Sequence, residues 1–201
     1  MADEWRKLAL AVRATLRQAS ASHEATRLID LATIKLMAQR EALRANRAGV
    51  AFRYVELGPA GVSPASLLQA ARRVIQRCSV CHGLADSALP LCLDGLGLVL
   101  SAEAVQSWAT HSSDALRNAE EAQVRLRNGV SFATAAIDAV GVATALLPAG
   151  DILQRAWLLA AEQLQNKAIK EVCLARNHLR EMRADISRLL MDARSIAQLL
   201  D

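Results

Sequence analysis

The residues whose types and spacing best suit chemistry are Cys78-Ser79-Val80-Cys81-His82-Gly83. Two thiols separated by two residues can reach one tetrahedral ion, and Cys92 with either His82 or His111 would supply the other two ligands that a zinc site needs. A structural zinc site normally has a second paired knuckle, and the chain has none. The other histidines, His23, His111 and His178, are scattered. His111 stands near Ser107, Ser112 and Ser113 on a segment read as an exposed helix rather than a strained turn, so no nucleophile and base are paired by sequence. A Gly-rich phosphate loop and a helical His pair at metal spacing are both missing. Catalysis is not expected, and the simplest reading of the cysteines is buried free thiols.

The same six residues resemble the attachment signature of c-type cytochromes. That resemblance implies haem c held by thioethers to Cys78 and Cys81, with His82 as the proximal ligand. A sixth ligand would come from Met37, Met182, Met191 or another histidine. The expectation is a protein without a cofactor, with haem c and zinc as the alternatives this motif admits.

Three features of composition frame the elements that would position these residues. The chain is 201 residues long, enough to bury a core without staples. It is 53% hydrophobic but only 3% aromatic, with 9 Gly and 4 Pro, so its apolar mass is Ala, Leu, Val and Ile. That composition suits closely packed helices and argues against a sandwich or barrel. Lys and Arg number 24 against 20 acidic residues, a net charge of +4. The arginines are spread among carboxylates rather than gathered on one stripe, so specific nucleic-acid binding is not expected. Met1-Ala2-Asp3-Glu4-Trp5 lacks the positive start of a Sec signal, and the four cysteines form no disulfide framework. The expected location is cytoplasmic, or exported by another signal, with membrane association possible for the apolar segment described below.

The periodicity predicts an all-α bundle of five to seven helices in a single domain over 1–201, with sub-units 1–62, 63–100 and 101–201. Residues 3–19 and 22–47 read as a first hairpin, the second helix burying Ala25, Ile29, Ala32, Leu36 and Leu43. Val50, Phe52 and Tyr54 alternate like a strand, but a lone segment makes no sheet. Ser63-Pro64 opens a third helix expected to close at Gly83. An apolar connection over 84–100 follows, broken by Pro90, Gly95 and Gly97. A helix from Ser101 is expected to end at Asn128-Gly129, and others to cover 131–147 and 151–200.

The last helix opens on Asp151-Ile152-Leu153-Gln154, which has the form of a capping box. From Ala168 it carries a coiled-coil seam of Val172, Leu179, Met182, Ile186, Leu189 and Ile196 at spacings that step by three and four. Its expected neighbour is the 101–128 helix, through Val105, Trp108, Ser112, Ala115, Ala119, Ala122 and Leu126. Between them, Val130–Leu147 carries a single charge, Asp138, and with Trp157 forms an apolar tip. Phe132, Ile137, Val140, Val142, Leu146 and Leu147 are its large residues. A run of that length approaches what is needed to cross a bilayer, though Asp138 would be costly at mid-membrane.

A polar helical hairpin with an apolar tip resembles the layout of α-helical pore-forming toxins and secretion-system translocators. The resemblance is architectural and implies a membrane-active, non-enzymatic protein whose residues 130–160 insert. The alternative is an adaptor that pairs with partner helices, or with itself, through the seam over 168–200.

Overall fold

The computed structural model describes residues 10, 23–41, 44, 64–94, 102–146 and 151–198, with side-chain packing described for 10, 23–41, 44, 65, 68–80, 82–83, 106–146 and 152–192. Among the described residues there are four helices and no strand. They are α1 over 23–41, α2 over Pro64–Asp94, α3 over Ala102–Ala145 and α4 over Asp151–Gln198. Of the expected helix over 3–19 only Leu10, helical and exposed, is described, and the strand-like 50–57 lies outside the described residues.

The all-α class stands, but the count of five to seven helices is corrected to four among the described residues. Two expected breaks are not made. Gly129 lies inside the unbroken 44-residue α3, and α2 continues through Gly83 to Asp94. Gly83 has open space where a side chain would stand, with nothing within 4 Å of an added Cβ. Gly129 is different. A Cβ there would meet the Val172 Cγ2 methyl at 2.8 Å and the Ala168 carbonyl oxygen at 3.4 Å. The glycine lets α3 and α4 approach closely, and packing gain overrides its poor helix propensity.

The chain divides into two compact units. The first comprises Met1–Thr26, Gln69–Ala122 and Asn177–Asp201, and the second Arg27–Leu68 and Gln123–Arg176. In the first, Val74 and Cys78 of α2, Trp108, Ala115 and Ala119 of α3, and Leu179, Met182, Ile186 and Leu189 of α4 are buried. Large seam residues on α4 face mostly small ones on α3, which permits close packing. The α3 and α4 segments run antiparallel, as Ser107 donating to Asp192 at 3.3 Å and Asn118 donating to Asp185 at 3.3 Å require.

In the second unit α1 joins the same two helices. Ile29, Ala32 and Leu36 of α1, Leu126, Ala136 and Val140 of α3, and Leu158, Ala168 and Val172 of α4 are buried. Polar clamps fix α1 on α4: Gln165 Nε2 donates to the Leu36 carbonyl at 3.1 Å and to Gln39 Oε1 at 3.0 Å. Arg176 pairs with Asp30 at 2.6 Å, and Arg44 Nε donates to Glu162 at 2.9 Å. That hydrogen bond to Glu162, followed by the charge of Glu41, raises the Arg44 pKa above the ordinary guanidinium value.

Candidate functional site

Two places in the fold hold groups with functional potential. One is a polar layer inside the first unit. Asp185, buried on α4, accepts from Asn118 Nδ2 at 3.3 Å. Its other oxygen lies 3.8 Å from His111 Nδ1 and 3.5 Å from an Arg188 nitrogen. Asn118 Oδ1 is 3.4 Å from His178 Nδ1. Across the same unit, His82 Nδ1 lies 3.3 Å from Ser112 Oγ.

That His–Ser contact is a pairing the sequence did not reveal, since 30 residues separate the two. It does not make a nucleophile. Ser112 is 1% exposed, and its hydroxyl donates to the Ala109 carbonyl at 2.8 Å. That hydroxyl is thus engaged with the main chain and closed off from solvent, which is not the setting of an activated nucleophile. A buried layer of this kind pins helices in one register, because sliding either helix would strand Asp185 and Asn118 without partners.

The thiols sit on α2 in the same unit. Cys78 is fully buried, and His82, one turn later, is turned to Ser112 of α3. The side chains of Cys81 and Cys92 lie outside the described residues. Among the described residues, no group of three or more His, Cys, Asp or Glu is placed to hold a metal ion.

The other place is the end of the α3–α4 hairpin in the second unit. Its inner cluster is Ala139, Val140 and Ala143 of α3 with Leu158 and Ala161 of α4, and Leu164 packs against it. Three of its five buried members are alanine, with Val140 and Leu158 the larger side chains inside it. Other large apolar side chains of the hairpin end stand outside. Ile152 is 86% exposed, Leu153 59% and Ile137 52%, and Val142, Trp157 and Leu159 are also exposed. The hydroxyls of Thr134 and Thr144 donate back to the carbonyls of Val130 and Val140 in their own helix, which further lowers the polarity of the α3 surface.

The residues expected to form the tip are thus divided. Val140 is in the inner cluster and Asp138 is exposed. Phe132 is half-buried, with Lys167 Nζ 5.8 Å above its ring, a cation–π geometry. Leu146 is half-buried at the turn, where its amide donates to the Val142 carbonyl at 3.2 Å, and Leu147 lies outside the described residues. Ile152, Leu153 and Leu159 fall within the expected 130–160 segment but were not singled out in it. Their signal was in the sequence, in that Ile152-Leu153 and Trp157-Leu158-Leu159 leave few polar positions on any side of the helix. Among the described residues, no helix is long and apolar enough to cross a membrane.

The seam residues Val172, Leu179, Met182, Ile186 and Leu189 are all buried within the chain, and the Ile196 side chain lies outside the described residues. No protein-family model matches the chain, and no characterised protein or solved structure is significantly similar to it.

Proposed function

We propose that the protein is a non-enzymatic helical interaction module that docks on a partner helix through the end of its α3–α4 hairpin. One observation carries this reading: around a small buried cluster of Ala139, Val140, Ala143, Leu158 and Ala161, the hairpin end leaves Ile137, Ile152, Leu153, Trp157 and Leu159 exposed. Leaving such side chains in water forgoes about 25 cal/mol per Å² of the apolar area they could bury, and a concentrated patch of this kind marks a contact surface. The described seam residues Val172, Leu179, Met182, Ile186 and Leu189 pack inside the chain, whereas the hairpin end offers exposed apolar side chains to a partner.

A helical partner suits this surface better than lipid does. The α3 side mixes Thr134, Asp138 and Thr144 with Ile137 and Val142, and a carboxylate such as Asp138 can find a donor at a protein rim but not in hydrocarbon. Site-specific photo-crosslinking in the native cell tests the reading. A photoreactive side chain at position 152 is expected to give discrete protein adducts that Leu159→Asp abolishes, while one at the exposed Ser113 gives none. Equal labelling from both positions, or flotation of the protein with vesicles that Leu159→Asp prevents, would refute a protein partner and return the surface to lipid.

A further inference from the structure

We infer that the helix docking at the hairpin end is acidic: an amphipathic partner laid along the outer stripe of α4, with apolar side chains on Ile152 and Leu159 and carboxylates on Lys167 and Lys170. The inference rests on the hairpin end being a docking surface and names the chemistry of its partner.

Six exposed residues of α4, Ile152, Ala156, Leu159, Gln163, Lys167 and Lys170, follow one another at steps of three and four. Those steps place them on one face of the helix, and Ile152 and Lys170 stand about five turns, roughly 27 Å, apart on it. The stripe is apolar as far as Leu159, neutral at Gln163 and positive beyond. An occupant must therefore bring an apolar surface to one end and negative charge to the other. A helix lying in a membrane surface has a different pattern, apolar on one side and charged on the opposite side along its whole length. Here the two characters share one line, so burying Leu159 in lipid would carry Lys167 in the same direction.

What selects an acidic partner is how this unit uses its own carboxylates. Glu162 is buried and accepts from Arg44 of α1, and Glu171 pairs with Arg125 of α3. On α1, Asp30 pairs with Arg176 and Glu41 with Arg40 and Arg44. Both α4 carboxylates along the stripe are thus turned to neighbouring helices, and neither Lys167 nor Lys170 has an ion pair among the described residues. Lys167 Nζ stands 5.8 Å over the Phe132 ring, which fixes where its charge sits. The exposed carboxylate Asp138 belongs to α3, outside the stripe. Because the stripe holds no acidic residue, a second copy of it supplies no negative charge either.

The test asks whether protein adducts formed from a photoreactive side chain at position 152 depend on those two charges. The full-length protein is compared in the native cell with Lys167→Glu/Lys170→Glu and with Lys167→Arg/Lys170→Arg. Both positions are exposed, so both variants are expected to keep the helical circular dichroism and melting temperature of the parent. Charge reversal is expected to lower the adduct yield at least about fivefold, since two attractions at the rim become repulsions, while the arginine pair preserves it. Mapping the crosslinked peptide is expected to find Asp or Glu about four to five turns from the labelled residue, the distance from Ile152 to the lysines. A yield unchanged by reversal, or a mapped segment without carboxylates at that distance, would overturn the acidic partner and leave the docking reading standing. No protein adducts in the parent would overturn both. Flotation with phosphatidylserine vesicles that charge reversal abolishes would assign the lysines to lipid and overturn the inference as well.

Discussion

Substituting Gly129 and Gly141 by alanine, one at a time, should change stability in opposite directions although both lie inside α3. At Gly141 an added methyl meets nothing within 4 Å, so the substitution should contribute the ordinary helix-propensity gain of about 0.5–1 kcal/mol. At Gly129 the methyl would stand 2.8 Å from Val172 Cγ2 and 3.4 Å from a main-chain oxygen. Val172 is buried, and a valine's χ1 is stiff, so it cannot swing aside. Overpacking of that kind costs about 1–3 kcal/mol, and after the propensity gain a net loss of up to about 2 kcal/mol remains. In a chain of this size 1 kcal/mol moves the melting temperature by about 2–4 °C, so Gly141→Ala should melt higher by a few degrees and Gly129→Ala lower by a few. Thermal melts followed at 222 nm read both shifts. Adding Val172→Ala to Gly129→Ala should recover part of the loss, a favourable coupling in a double-mutant cycle. If Gly129→Ala stabilised the protein as Gly141→Ala does, close approach of α3 and α4 would not be the reason for that glycine.

Three further outcomes follow, two from the first unit and one that compares a cysteine of each unit. Asp185→Ala strands the buried Asn118 amide and should cost about 1–3 kcal/mol in urea unfolding, whereas Asp185→Asn keeps an acceptor oxygen and should cost less. Trp108 is fully buried and its Nε1 has no hydrogen-bond partner among the described residues, so its worth lies in packing. Trp108→Ala should therefore cost about 3–5 kcal/mol, with Trp108→Phe recovering most of that loss. Alkylation mapped by peptide mass should modify the partly exposed Cys173 in the native protein, and the buried Cys78 only after denaturant is added.

Much of the fold was legible from spacing alone. Ala25, Ile29, Ala32 and Leu36 on α1, and Trp108, Ser112, Ala115, Ala119, Ala122 and Leu126 on α3, were read as inward-facing stripes and are buried. The same holds for the α4 seam from Val172 to Leu189. The misread positions were glycines, because the usual local rule treats a glycine after a helical run as its end. Gly129 answers instead to Val172, 43 residues away, and such a contact leaves no local mark. The polar layer escaped for a related reason. Asn118 and Asp185 look like surface residues by type. They do sit within a turn of Ala115 and Ala122, and of Met182 and Leu189, respectively, so their place in the stripe was a signal available without coordinates. At the hairpin end the apolar run was legible, but which of its residues turn inward, as Val140 does, and which stay exposed, as Ile137 and Val142 do, was not.

Neither compact unit is a contiguous stretch of chain. Unit two takes Arg27–Leu68 and Gln123–Arg176, and everything between those segments belongs to unit one. No single cut, deletion of an end or duplication of one stretch can therefore yield either unit by itself, since α3 and α4 each supply residues to both. A fragment cut from one stretch of chain would thus carry only part of either unit's core. Folding of the protein must also bring together segments far apart in sequence in both units, which predicts slower folding than a simple helical bundle of this length.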